Sequence, residues 1–105
     1  MGYLKSKGIP VTVSGREFEI SFNMSVVESV YEKFGTLEDF QKALRGSNQL
    51  GNLRTTIWIL CVMLNDAIEE SNETSSEKEG LLTEKRLSRL LSPKDFLELQ
   101  KSLFA

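Results

Sequence analysis

A chain of 105 residues with 40% hydrophobic and 27% charged side chains is long enough for one core, too short for two ordinary domains and too apolar for a disordered polypeptide. Its 13 basic residues lie scattered among 15 acidic ones, a net charge of -2, which offers a phosphate backbone no attraction and sets nucleic acid aside as a main partner. The absence of histidine removes the commonest acid–base group at neutral pH, and a single cysteine excludes an internal disulfide, in keeping with a reducing cytoplasm.

The opening "MGYLKS" places Gly2 and Ser6 where an acyl-transfer signal needs them, but the pattern is loose and one acyl chain anchors only marginally, so it reads as an ordinary start. No secretory signal is expected ahead of the domain, and the sequons at Asn23 and Asn72 are then coincidental. Val11 and Val13, then Phe18, Ile20 and Phe22, alternate with polar residues across Ser14-Gly15. That is a β-hairpin over 8–22, with strands near 9–14 and 17–22 and one face turned inward. A lone hairpin is marginal in water, so helices or another chain must cover it.

Ser25 and Glu28 have capping-box spacing, and Val26, Val27, Val30, Tyr31 and Phe34 form the stripe of a first helix that stops at Gly35. Thr36 caps a second helix carrying Leu37, Phe40 and Leu44 and ending at Gly46, which leaves "GSNQLGN" as a loop. Asn52 is expected to cap the third helix, Leu53 to Glu70, with Leu53, Ile57, Leu60, Cys61, Leu64 and Ile68 on its buried face. Trp58, Ile59, Val62 and Met63 make that helix apolar nearly all round, as befits the hub of a core or a segment shared with another chain. Its apolar run, residues 57–64, is too short to span a bilayer, and Cys61 inside it reads as a small buried hydrophobe.

"EESNETSSEKEG" has no apolar side chain to offset the entropy of ordering and reads as a mobile acidic loop, centred on 71–80. Thr83 opens a short helix with Leu87, Leu90 and Leu91, and Ser92-Pro93 with Asp95 opens a last one bearing Phe96, Leu97, Leu99, Leu103 and Phe104. The expected fold is therefore α+β and mainly helical. A two-stranded hairpin leads into four or five helices around a central apolar helix near 53–70, in one domain over 1–105 with a helical core at 24–70 and C-terminal helices at 83–105.

No nucleophile sits beside a base, no ligand spacing suits zinc or calcium, and the seven glycines build no phosphate loop, so no catalytic, metal or cofactor residue is assigned and no enzyme is expected. Binding is the remaining class. Its candidates are the surplus apolar side chains Trp58, Ile59 and Met63 on the third helix and Leu97, Leu103 and Phe104 near the C-terminus. The same surplus, with the thin sheet, predicts self-association, and neither a membrane nor nucleic acid is expected as partner.

The succession "VTVSGREFEISFNMSVVESVYEKFGTLEDF", "NLRTTIWILCVML" and "LTEKRLSRLLSPKDFLELQKSLF" resembles the tail assembly chaperones of long-tailed, siphovirus-type bacteriophages and prophages. The likeness lies in a hairpin with a glycine turn at Val11 to Phe22, a helix ending in Tyr31-Glu32-Lys33-Phe34-Gly35, an arginine before a tryptophan-bearing helix at Arg54 and Trp58, and a threonine start at Leu82-Thr83. The long acidic insertion at Glu69 to Gly80 departs from that pattern. The resemblance implies a non-enzymatic factor that binds the tape measure protein in the host bacterial cytoplasm, helps the tail tube protein polymerise around it and is absent from the finished virion. A longer frameshift product often accompanies such proteins. The alternatives are a small structural phage protein such as a head–tail connector subunit, or a small regulatory protein-binding module.

Overall fold

The structure, a computed structural model, describes the backbone of residues 8–46 and 48–104 and the side chains of those residues as far as 101. Alternation builds the first element: Ile9, Val11 and Val13 point inward from β1 (Ile9–Val13) while Pro10 and Thr12 point out. Antiparallel to it runs β2 (Arg16–Ile20), with Val13 opposite Arg16 and Ile9 opposite Ile20. Ser14 and Gly15 make the two-residue turn at φ 52° and 82°, the left-handed pair whose twist matches that of the flanking strands.

Helix α1 (Met24–Phe34) begins two residues earlier than a Ser25–Glu28 capping box requires. Asn23 is the cap instead. Its Oδ1 accepts from the Val26 N–H at 3.1 Å, and its amide donates to Asp66 at 2.7 Å, so one side chain starts the helix and ties it to the third. Gly35, at φ 88°, closes α1 by donating its N–H to the Tyr31 carbonyl, a conformation in which a side chain would be strained. Thr36 caps α2 (Leu37–Arg45) as expected, with Glu38 and Asp39 in the first turn and Lys42 and Arg45 in the last complementing the helix dipole.

The third helix, α3 (Gln49–Thr74), has 26 residues and is about 39 Å long. It starts four residues before the expected Leu53. Asn48 supplies the cap by accepting from the Gly51 N–H, whereas Asn52 lies within the helix and donates its amide back to the Gly46 carbonyl. The helix also continues four residues past Glu70, taking in part of the expected acidic loop. The remainder of that loop has specific partners: Asn72 exchanges two hydrogen bonds with the Glu79 main chain, and Arg16 forms an ion pair with Glu79. Thr83 caps α4 (Glu84–Leu90), and the Ser92 hydroxyl accepts from the Asp95 N–H at the start of α5 (Pro93–Phe104).

The architecture is thus a two-stranded antiparallel hairpin followed by five helices, α+β and mainly helical. α3 is the hub: β2, α1, α2 and α4 all pack on it, while α5 rests on β1. Ile20, Val26, Val30, Phe40, Leu60, Leu64 and Leu87 are fully enclosed in one cluster with the inner face of the hairpin. Phe22, Phe34, Phe40 and Trp58 form an aromatic corner of that cluster, with ring centroids 5.5 to 6.3 Å apart. Among the described residues no helix is long and apolar enough to cross a membrane.

Candidate partner-binding groove

Two of the six side chains expected to meet a partner are core. Ile59 and Met63 are 0% exposed, in the core that α3 forms with β2, α1, α2 and α4 packed on it. The inference from an all-round apolar helix to a shared one is corrected at these positions. Trp58 is half-buried, edge-on to Phe34 at 5.5 Å and to Phe40 at 6.2 Å, with the Lys33 ammonium 5.4 Å from its ring. It is a lid on the aromatic corner more than a free surface. Leu97 is 57% exposed, and the side chains of Leu103 and Phe104 lie outside the described residues, as does the Gly2 start.

The exposed apolar surface lies elsewhere, in a groove of about 630 Å3 between the first turns of α3, α4 and the start of α5. Local chemistry opens it. α4 has only seven residues and ends before Pro93, whose ring fixes φ and removes the N–H that a continuing helix would need. The chain therefore bends at Leu91-Ser92, α5 swings onto β1 through the buried Leu99, and a wedge remains beside α3.

Leu50, Leu53 and Ile57 line one wall at helical spacing, and Leu91, Phe96 and Leu97 line the other. Leu50, Leu53 and Leu97 are 55%, 41% and 57% exposed, so three of the six large exposed hydrophobic side chains among the described residues converge here. Such convergence marks a docking surface better than apolar residues scattered singly. Arg54, Glu84 and Lys85 form a polar rim, with Glu84 in the favourable first turn of α4.

Of these residues the sequence had pointed only to Leu97. Leu50 falls in the loop expected at 46–52 and Leu53 on the expected buried face, yet the spacing Leu50, Leu53, Ile57 continues the α3 stripe backwards past Asn52 and is the signal for the earlier helix start.

The groove is lined mainly by apolar side chains. Behind it, Cys61 is enclosed and its thiol sits 3.4 Å from the Leu82 carbonyl. Burial pushes that thiol above its ordinary pKa of 9.0 and the nearby Glu84 charge adds to the shift, while a hydrogen bond from Asn65 opposes it. Among the described residues no group of three acidic, cysteine or histidine side chains could hold a metal ion. No family model, curated protein or solved structure matches this chain.

Proposed function

We propose that the protein is a non-catalytic assembly factor of the phage tail chaperone kind, which holds amphipathic helical segments of a tape measure protein in the groove between α3, α4 and α5. The observation that carries this reading is the convergence of Leu50, Leu53 and Leu97 on one open apolar groove. An amphipathic helix lays its apolar face into such a groove and leaves its polar face in water.

The energetics favour a weak, repeated contact. Fully burying a leucine side chain is worth about 1.5–3 kcal/mol, and these three are already partly covered. Association costs roughly 4–15 kcal/mol in lost freedom, so a single groove grips weakly. Many copies along one rod-shaped client then hold it by avidity and release it as tube subunits displace them, which suits a factor of the host cytoplasm that does not stay in the particle. Co-expression with the tape measure protein of the same genome tests the reading: the two should co-purify, the client should become more soluble, and purified virions should lack this protein. Failure of both co-purification and solubilisation would end the assignment.

A further inference from the structure

The hairpin has two outer edges, and they differ. With Val13 opposite Arg16 across a two-residue turn, hydrogen-bonded pairs fall at Val13 and Arg16, Val11 and Phe18, and Ile9 and Ile20. The main-chain groups of Pro10 and Thr12 on β1, and of Glu17 and Glu19 on β2, therefore point away from the hairpin. Pro10 has no N–H, which spoils the β1 edge for further pairing. The β2 edge keeps an N–H and a carbonyl at both Glu17 and Glu19, and no described residue bonds to them.

Beside that edge lies a notch of about 600 Å3, walled by the later turns of α3. Ala67, Ser71 and Thr74 face it, and side chains so small leave open the space that a neighbouring strand would take, about 4.8 Å from β2. Its charge is one-sided. Glu17 and Glu19 on the strand and Glu70 and Glu73 on the helix are exposed around it, while Arg16, the one cation among the described residues that line it, is engaged by Glu79.

We propose that this notch binds an extended basic segment of a partner protein, which adds to β2 as a third strand. Main-chain bonds to Glu17 and Glu19 set its register. Lysine or arginine at alternate positions meets the four carboxylates, and small or apolar residues between them lie over Ala67 and beside the Phe18 ring, on which the Arg16 guanidinium rests at 4.7 Å. Pairing of β2 with a second copy of itself would set Glu17 and Glu19 against like charges, so the occupant is a different, basic strand. Guarding an open edge accounts for glutamates on the strand, but not for Glu70 and Glu73 on the facing helix. The site involves the opposite end of α3 from the groove and stands independently of the tail-chaperone reading.

The test is NMR titration of the full, 15N-labelled chain with a blocked Lys-Val-Lys-Val-Lys-Val peptide. The Glu17 and Glu19 amides should shift and become protected from exchange. Affinity should fall about tenfold when the peptide amides facing β2 are N-methylated, which removes the donors and keeps the charge, and by a similar factor in an E70Q/E73Q variant whose thermal melt is unchanged. Equal binding by the N-methylated peptide would reduce the site to diffuse charge attraction and overturn strand addition. Shifts centred away from β2, or no binding at about millimolar peptide, would overturn it as well.

Discussion

At the scale of single residues, asparagine does work that apolar patterning does not reveal. Asn65 and Asn72 lie seven apart on one face of α3, and each clasps the main chain of the segment that returns along the helix. Asn65 accepts from the Leu82 N–H at 2.7 Å and donates to the Leu82 carbonyl at 2.9 Å. Asn72 does the same for Glu79, at 2.9 Å each way. A carboxamide is the side chain suited to this, since it carries a donor and an acceptor side by side. In the sequence Asn65 reads only as the polar end of an apolar run and Asn72 as a chance sequon. Replacing Asn65 with alanine should cost about 1–3 kcal/mol, because it strands the Leu82 N–H in a half-buried place and leaves the Leu82 carbonyl only the weak Cys61 thiol as donor. Urea unfolding followed through Trp58, the one tryptophan, measures this. Asn72→Ala, at a more open site, should cost less.

At the scale of elements, the boundaries were decided by which polar side chain reached a free backbone group first. Thr36, Thr83 and Ser92 cap the helices assigned to them from sequence, because each stands directly before a helical stripe without a rival. At α1 there was a rival. Asn23 caps at least as well as serine and is additionally fixed by Asp66 on α3, a partner 43 positions away in the chain. Asn23→Ala should therefore lower stability by about 1–2 kcal/mol, whereas Ser25→Ala should change it by less than about 0.5 kcal/mol, as read from paired denaturation curves. The reverse order would restore the capping box. The C-terminal end of α3 has a similar origin: the Lys78 ammonium donates to the Asn72 and Ser75 carbonyls, so a helix running into a polar, acidic stretch still has a donor for two carbonyls at its end.

At the scale of the whole molecule, some large apolar side chains stay outside the core, and half of those among the described residues lie at the start of α3 and on α5, with none around the middle of α3. Leu53→Glu and Leu97→Glu place charge on exposed walls of the groove, so the thermal midpoint should stay within the change expected of about 0.5 kcal/mol while capture of a helical client is lost. Retained capture by both variants, measured by co-purification, would move the client surface elsewhere. What the sequence alone determined is whatever depends on near neighbours: the alternation and left-handed turn of the hairpin, the stripe of each helix, the stops of α1 and α2 at glycine and of α4 before Pro93, and the total of apolar side chains. Only the tertiary structure decided how that total is divided, closing Ile59 and Met63 inside and leaving Leu50, Leu53 and Leu97 open. The reason is geometric. A 3.6-residue period tells which side chains share a face of a helix, but the cover over that face comes from elements far along the chain, here the hairpin and α1, α2 and α4 against one stretch of α3 and an α5 that leans away from another.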